Sequence, residues 1–270
     1  MFCTNCGKTM DQGSAFCVSC GTKVSQADPA GAIQSQMTAA IGTQAGVFQK
    51  SKKKIVMLGA VVLVLIAAVL IFQWITDDSG HPEIGSIISF GGYDWRVLDV
   101  QDGRALLLSE YIIEHRAYHN RSEAVTWETS TLRHYLNNQF FNSFNESDRA
   151  RIAETRVLNN NNPWRGTHGG NDTNDRIFLL SIEEVVRYFG DSGELRNREG
   201  EWSEWAIYDR YNFARIARTR NGEASWWWLR SPGLDSYCAA GVNSGGILDF
   251  RGLHVVYGSG GVRPALWLNL

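Results

Sequence analysis

The sequence predicts an α+β protein in which a large C-terminal domain is joined by one apolar helix to a small cysteine-rich module. Three observations support this prediction. Four of the five cysteines form two Cys-x2-Cys pairs near the N-terminus, residues 55–75 contain no charged side chain, and short strand and helix patterns alternate over residues 77–270. The 270 residues exceed the usual size of one compact domain, so each part is interpreted separately.

The cysteine-rich module occupies residues 1–22 and predicts a zinc site. Each Cys-x2-Cys pair is followed directly by a glycine, which permits a tight turn beneath a metal. Two such pairs supply four thiolates to a tetrahedral Zn²⁺, and four protein ligands leave no open position, so we expect one structural ion. Disulfides or redox motifs are the alternative, and a cytosolic placement disfavours them. The predicted ligands are Cys3, Cys6, Cys17 and Cys20. The module resembles the short zinc ribbons at the N-termini of many bacterial membrane proteins.

The distribution of charge argues against nucleic acid as a partner. Residues 77–270 contain 20 arginines, no lysine and 26 acids, whereas phosphate binding requires a clustered basic excess. The cysteine module and the residue that follows it carry only Lys8 and Lys23 against Asp11. We therefore expect the module to contact a cytosolic protein partner.

Residues 55–75, IVMLGAVVLVLIAAVLIFQWI, predict a transmembrane helix. A helix of about 21 residues spans roughly 31 Å, close to the thickness of the bilayer hydrocarbon. A buried core helix and a cleaved signal peptide are the alternatives; the run is too apolar for the first and lies too far along the chain for the second. Residues 23–54, rich in Gln, Ala, Gly, Ser and Thr, are expected to form a flexible linker with a basic flank.

The flanks of this helix predict its orientation. Lysines at positions 50 and 52–54 precede it, and Asp77, Asp78 and Glu83 follow it. Cationic flanks remain on the cytoplasmic side, so the N-terminus is predicted inside the cell and residues 77–270 outside, as a single-pass protein of the cell membrane.

The outer domain begins with strand patterns and continues with helix patterns. Strands are predicted at 84–90 and 93–100, with Asp102 and Gly103 as the two-residue turn of a hairpin. A helix is predicted from Ser130, with a polar side formed by Arg133, Asn137 and Asn138. Its apolar stripe consists of Leu132, Tyr135, Leu136, Phe140 and Phe144.

Later elements are predicted from caps and short apolar runs. Asn145 and Asp148 indicate the start of a short helix that ends near Ile152. A strand is expected at 177–180, followed by a helix with a Ser181–Glu184 capping box that ends at Gly190. Strands are also expected at 247–250, 253–257 and 262–268, with a turn at residues 251–252 and a break at 258–261.

Four motifs of the outer domain support a resemblance to a known family. TWETSTLRHYLNNQFF, NDRIFLLSIEEVVRYFG, WWWLRSPG and GVRPALWLNL resemble, in order and spacing, a bacterial domain family of unknown function that often follows a zinc ribbon and a membrane helix. The closing GVRPAL is also similar to the end of the C-type-lectin-like fold of formylglycine-generating enzymes and of variable ligand-binding proteins of retroelements. That similarity implies a fold and no activity.

We expect ligand binding without catalysis. Formylglycine-generating chemistry requires a pair of reactive cysteines, whereas the outer domain contains only Cys238. A hydrolase is an alternative, although no G-x-S-x-G stretch is present. A third reading is a signalling scaffold that recruits a cytosolic partner through the zinc ribbon. A serine or Cys238 in contact with a histidine and a carboxylate would favour an enzyme.

Residues 225–233, SWWWLRSPG, contain the candidate ligand site. In a strand, Trp226, Trp228 and Arg230 share one face, where they can line a pocket for a sugar, a peptide or another component of the cell envelope. The alternative is that all three tryptophans are core residues. If this face is buried, we expect the pocket among the loops at 159–175 and 233–246. Arg263, between apolar residues, is expected to form a buried ion pair.

Two further patterns suggest metal ions. His115 and His119 are four residues apart beside Glu114, but they follow a strand in an apparent loop, so we favour ordinary polar surface. Residues 159–175 contain two aspartates and many asparagines, whose side-chain oxygens can coordinate calcium. Without an EF-hand spacing, a solvated loop is the preferred interpretation.

Overall fold

The computed structural model describes residues 81–198 and 205–270. The predicted zinc ribbon at 1–22, linker at 23–54 and membrane helix at 55–75 lie outside these residues. Within the part that is described, no helix is long and apolar enough to cross a bilayer. Residues 82–270 belong to one compact unit of mixed α+β structure in which strands predominate.

Short strands make up most of the regular structure of the domain. They are β1 (Ile87–Phe90), β2 (Tyr93–Gln101), β3 (Arg104–Ser109), β4 (Glu114–His115), β5 (Ile152–Ala153), β6 (Thr155–Val157), β7 (Thr173–Asp175), β8 (Ala206–Ile207), β9 (Ala217–Arg218), β10 (Ala224–Ser225), β11 (Trp227–Pro232), β12 (Cys238–Val242), β13 (Leu248–His254), β14 (Gly261–Val262) and β15 (Ala265–Asn269).

Two larger sheets contain most of these strands. The first has the order β1-β2-β3-β15-β5 and is antiparallel throughout. The second has the order β4-β14-β11-β12-β13-β8, and its β14–β11 pair is parallel. Two further antiparallel pairs join β6 to β7 and β9 to β10. Trp227 and Trp228 therefore lie in an inner strand of the second sheet, and Trp226 directly precedes that strand.

The helices are short and pack against the sheets. They are α1 (Thr131–Tyr135), which continues as a π-helical turn (Leu136–Phe140), and α2 (Phe141–Ser143), α3 (Glu146–Arg151), α4 (Ile182–Phe189), α5 (Glu194–Asn197) and α6 (Asn212–Arg215).

Several predicted starts, turns and caps are confirmed. Asp102 and Gly103 have φ angles of 51° and 69°, as a two-residue hairpin turn between β2 and β3 requires. The side chain of Ser130 caps α1, and that of Asn145 caps α3. Ser181 and Glu184 form the complete capping box of α4. The three caps form as predicted because each supplies a hydrogen-bond acceptor to amide groups that a helix end leaves without partners.

The C-terminal strands differ from the prediction in two places. Residues 251–252 form no turn, because β13 runs through them to His254. A Cβ at position 252 would lie 2.1 Å from the carbonyl oxygen of Ala239, so Gly252 permits a close approach of two strands. The predicted strand at 262–268 is divided at Arg263 and Pro264, where the chain leaves β14 in the second sheet and enters β15 in the first.

The predicted strand at 177–180 is an extended buried segment that makes one bridge, from Phe178 to Ala265. Its carbonyl groups are used elsewhere. Leu180 O accepts the backbone N–H of Arg230, and Leu179 O accepts the Arg230 side chain. The segment is thus held by β11 and its arginine, an arrangement that a local pattern of apolar residues does not reveal.

The chain crosses between the two large sheets twice at one place. β3 ends at Ser109 in the first sheet, and β4 begins at Glu114 in the second. The return crossing is the Arg263–Pro264 pair. Ser109 N donates to Pro264 O at 2.9 Å, and Arg263 Nε donates to Ser109 O at 2.9 Å. Both crossings are therefore fixed side by side.

Candidate functional site

The tryptophan-rich segment lies in the interior, contrary to the expected open face. Trp227 and Trp228 are fully buried, and Trp226 is half-buried. Trp228 packs edge-on against Trp226 with ring centroids 4.6 Å apart, and its Nε1 donates to Arg116 O at 2.8 Å. All six residues of β11 are buried, so side chains on both faces of the strand are covered, and α4 packs against it.

Arg230 is a structural ion pair. It is 4% exposed, and its guanidinium makes two hydrogen bonds to the Glu184 carboxylate, one of 2.8 Å from Nη2 to Oε1. Further donors reach Leu158 O and Leu179 O. Burial alone would raise the pKa of Glu184, but the charge and hydrogen bonds of Arg230 hold that pKa below its ordinary value. The donor fork that was expected to face a ligand is already bound to the protein.

Of the predicted polar side of the helix, Asn138 is exposed as expected, whereas Arg133 and Asn137 face protein. Arg133 Nε donates to Asp175 Oδ1 at 2.7 Å, and Asp175 Oδ2 accepts Trp127 Nε1 at 2.8 Å. Asn137 binds the backbone of Arg176 and Ile177. The expectation that Arg133 and Asn137 are solvated is wrong, because Arg133 binds the last residue of β7 and Asn137, in the π-helical turn, binds the segment that follows β7.

Arg263 forms no ion pair with any described residue, contrary to the prediction. It is 3% exposed, its Nε binds Ser109 O, and its Cζ lies 5.1 Å from the ring centroid of Trp227. Its Nη1 has no hydrogen-bond partner among the described residues. Burial lowers the pKa of Arg263 to about 10, and the nearby charge of Glu110 partly offsets this effect.

A cleft of about 250 Å³ opens beside the two sheet crossings. Its walls are the start of β2, the connection from β3 to β4, and the turn between β9 and β10. The turn is attached to the connection, because Ile112 N donates to Arg218 O at 2.9 Å. The volume lies just below the range of roughly 300–1,000 Å³ that is typical of drug-sized ligands. The cleft thus suits a smaller molecule.

The inner wall of the cleft is rich in hydrogen-bond acceptors. Ser109 is 1% exposed, and its Oγ has no hydrogen-bond partner among the described residues. Glu114 Oε2 accepts Arg116 Nη2 at 3.2 Å, while its buried Oε1 meets no described donor in hydrogen-bonding geometry. Asp94 Oδ1 accepts Ser89 Oγ at 2.9 Å.

The mouth of the cleft carries a cation. The side chain of Arg220 is 62% exposed, and its Nη2 lies 3.9 Å from Asp94 Oδ2, which is longer than a hydrogen bond. Its Cζ is 5.9 Å from the ring centroid of Tyr111. The cleft therefore combines two carboxylates, a buried hydroxyl, the rings of Tyr93 and Tyr111, and one exposed guanidinium.

Two serine–histidine contacts bear on catalysis. His115 Nε2 lies 3.2 Å from Ser225 Oγ at the edge of the cleft, and His254 Nε2 lies 3.3 Å from Ser122 Oγ elsewhere. Neither histidine contacts a carboxylate of the described residues. Burial, and next the charge of Asp235, raise the pKa of Cys238 to about 11, so this thiol is a weak nucleophile at neutral pH.

The structure gives no support to the metal alternatives. His119 Nδ1 accepts the backbone N–H of Thr131, which leaves Nε2 to donate to Glu123 at 2.9 Å. In the 159–175 loop, Asp172 binds Asn159 N and Arg156, and Asp175 is buried against α1. Over 81–198 and 205–270, no group of three or more His, Cys, Asp or Glu side chains is placed to hold a metal ion.

The first of the two loop regions expected to hold a pocket, residues 159–175, is largely structural. Asn162 is 1% exposed, and its Nδ2 donates to Pro232 O and Phe250 O. Trp164 stacks on Phe250 with ring centroids 3.9 Å apart. These contacts fix the 159–175 loop to β11 and β13, so the loop is not simply solvated.

Comparison with protein families accounts for both ends of the chain. Residues 102–270, more than half of the sequence, match the family model described as a domain of unknown function (DUF6273). The chain belongs to the DUF6273 family. Residues 2–24 match the zinc-ribbon domain. The curated proteins and the solved structures contain no match to the chain.

Within the DUF6273 domain, the residues that carry the sequence resemblance are mainly structural. Arg133, Glu184, Arg230 and Arg263 all make internal contacts. The cleft uses other residues, which sequence reasoning missed, and Tyr93 and Asp94 of its wall precede the range 102–270 that matches the family. Asp94, Glu114 and Arg220 are far apart in sequence, and only Glu114 has a local signal, because it closely follows the apolar strand that ends at Ser109.

Proposed function

We propose that this chain is a single-pass membrane protein whose outer domain binds a small polar ligand or envelope component in the cleft without transforming it. The observation that carries the proposal is Ser109. A buried hydroxyl without a partner costs about 1–3 kcal/mol, and a bound ligand that pairs with it recovers part of this cost. The adjacent carboxylates and Tyr111 supply further contacts of the kind that orient small ligands.

Binding at the cleft is tested by thermal-shift screening of the full-length chain, in mild detergent, against small metabolites and cell-wall fragments. A ligand of the cleft should raise the unfolding temperature of the wild type, and Ser109→Ala together with Asp94→Asn should remove most of that rise. Glu146→Gln, an exposed acid on α3, is the matched control and should retain it. A ligand whose effect survives both cleft substitutions would place its site elsewhere.

The N-terminal part of the proposal rests on composition and donor chemistry. Residues 55–75 are apolar and follow a cluster of lysines, which supports a membrane helix with the N-terminus in the cytosol. Cys3, Cys6, Cys17 and Cys20 fit Zn²⁺ because four thiolates complete its preferred coordination. The zinc would stabilise the fold of the ribbon, which we propose as the contact for a cytosolic protein.

A C-type-lectin-like fold is proposed for the outer domain on narrower grounds. The GVRPAL segment includes the Arg263–Pro264 crossing, and β15 then pairs with β3 in the middle of the first sheet. An experimental structure of the full chain, superposed on lectin-like domains, tests this assignment. A different order of strands in the sheets would contradict it.

An extracytoplasmic hydrolase is the alternative that one observation favours, namely the Ser225–His115 contact beside the cleft. A fluorophosphonate probe that labels wild type, but not Ser225→Ala, would support it. The same probe should leave the chain unlabelled if the domain only binds. If the protein is instead a signalling scaffold, its zinc ribbon should still bind the cytosolic partner when substitutions inactivate the cleft.

A further inference from the structure

We infer that the cleft recognises the protonated amine of a small molecule, an amino acid or an amino sugar. The inference rests on the proposed function, because it names the chemical class that the same cleft would take. It follows from which hydrogen-bonding atoms of the cleft are already used by the protein and which are still available.

The available atoms on the inner wall are mostly acceptors. Asp94 Oδ2 has Arg220 as its nearest charged partner at 3.9 Å, and Glu114 Oε1 makes no hydrogen bond of good geometry with a described residue, although the Tyr135 hydroxyl lies near this carboxylate. Ser109 Oγ, which can accept as well as donate, is also without a partner in the described structure. An ammonium group has three donors and no acceptor, so it complements this set.

The local charges favour a cation over a neutral or anionic group. Two carboxylates, those of Asp94 and Glu114, line the cleft. Arg116 offsets the charge of Glu114 only in part, because it donates a single hydrogen bond of 3.2 Å to that carboxylate. The neighbouring Glu110 is excluded from this count, because Arg96 neutralises it with two hydrogen bonds of 2.8 and 2.6 Å. Arg116 and Arg220 balance the two carboxylates in total charge, but an anion placed directly against Asp94 Oδ2 or Glu114 Oε1 would still have a like charge as its nearest neighbour.

Arg220 indicates which group the opposite end of the ligand carries. Its contact with Asp94 is longer than a hydrogen bond, and its side chain is mostly exposed, so little energy holds it in that place. A ligand carboxylate at the mouth would gain a bidentate contact with this guanidinium. The arrangement thus suits a zwitterion, with the amine on the inner wall and the carboxylate at Arg220.

Calorimetric titration of the full-length chain in mild detergent tests this inference with matched probes. These are D- and L-alanine against N-acetylalanine, and glucosamine against N-acetylglucosamine and glucose. Amine probes should bind at least tenfold more tightly than their acetylated counterparts, and Asp94→Asn and Glu114→Gln should each weaken amine binding at least tenfold. Arg220→Ala should weaken the binding of alanine, which has a carboxylate, and leave the binding of glucosamine unchanged. Whichever of the two amines binds more tightly to the wild type shows whether the ligand is an amino acid or an amino sugar.

Arg121→Ala and Glu146→Gln are the matched controls, because both residues are exposed and lie outside the cleft. Equal binding of acetylated and free amines, abolished by the cleft substitutions, would overturn the amine assignment and leave cleft binding intact. Binding that no cleft substitution alters, or no binding of any probe while the screen finds no other cleft ligand, would overturn both. Unfolding curves establish that each variant is folded.

Discussion

Buried and partly buried arginines organise the interior of the domain at the scale of single residues. Arg230, Arg215 and Arg133 each bind a carboxylate and at least one backbone carbonyl. A guanidinium can do this because its five donors are arranged in a fixed plane, whereas an ammonium is a point donor. Such residues explain why motifs that are conspicuous in the sequence are found in the interior and leave the cleft to less conspicuous side chains.

Removing Arg230 should destabilise the domain strongly. Arg230→Met leaves the Glu184 carboxylate without its partner, which should lower the free energy of unfolding by about 3–5 kcal/mol. Arg187→Met, which removes an exposed contact of 3.3 Å with Asp99, is the matched control and should cost less than about 1 kcal/mol. Denaturant unfolding at pH 7 measures both. Similar losses for the two variants would contradict the structural role.

The same pair predicts an acid-sensitive contribution to stability. Because the pKa of Glu184 is lowered in the folded state, its contribution is complete above the ordinary value of 4.5 and is lost as the pH falls through the lowered value. The free energy of unfolding should therefore decrease below about pH 4. Glu184→Gln should flatten this part of the curve. An unchanged acid slope in that variant would refute the assignment.

Cys238 should react slowly despite being partly accessible. With its pKa raised from 9.0 to about 11, the thiolate fraction near pH 8 is roughly 100-fold lower than that of an ordinary thiol. A cysteine introduced at the exposed position Ala150 provides the reference rate. Maleimide kinetics should show Cys238 reacting much more slowly, with a rate that still increases above pH 9. Equal rates would contradict the raised pKa.

At the scale of elements, the sequence predicted the turns and helix starts whose backbone groups are hydrogen-bonded by neighbouring residues. The Asp102–Gly103 turn and the caps at Ser130 and Ser181 depend on neighbouring residues only, so the sequence contains them in full. Residues 251–252 look like a turn for the same reason. Their glycine instead serves contact with Ala239, a distant partner that a local pattern cannot specify.

Two glycines with the same backbone angle separate close approach from conformational freedom. Gly252 and Gly103 both have φ of +69°, but a Cβ at Gly252 would lie 2.1 Å from Ala239 O, whereas one at Gly103 meets nothing within 4 Å. Gly103→Ala should cost about 1–2 kcal/mol through its backbone angle alone. Gly252→Ala should cost about 1–3 kcal/mol more because the strands must separate. Equal losses in denaturant unfolding would show that the strand contact is unimportant.

At the scale of the whole molecule, the sequence was informative about parts and much less about the site. The α+β class follows from local patterns, and the zinc ribbon from cysteine spacing. The cleft could not be predicted in this way, because its walls come from three segments that are far apart in sequence. The tryptophan segment was misleading because a strand covered on both faces has no open side, whatever its alternation.

The proposed topology can be tested with two introduced cysteines. Ala150→Cys lies on the exposed surface of α3, and Ser35→Cys lies in the predicted cytosolic linker. A membrane-impermeant maleimide applied to intact cells should label the first and leave the second unlabelled until lysis. The reverse result would overturn the predicted orientation, and labelling of neither before lysis would place the large domain inside the cell.

The zinc proposal predicts one bound ion per chain. Metal analysis of full-length protein purified under reducing conditions should find about one Zn²⁺, and Cys3→Ser with Cys17→Ser should abolish it. Cys238→Ser is the matched control, because that thiol belongs to the outer domain, and it should retain the metal. Retention of zinc after loss of both ribbon cysteines would contradict the assignment.

Hydrogen–deuterium exchange of the full-length chain, with and without a ligand found by the thermal-shift screen, tests cleft binding most directly. The walls of the cleft are formed by residues 93–94, 109–115 and 219–221. Ligand should slow exchange in these three segments and leave the 159–175 loop unchanged. Protection confined to 159–175 or 233–246, with exchange unaltered around Ser109 and Arg220, would contradict the proposal that the cleft is the binding site.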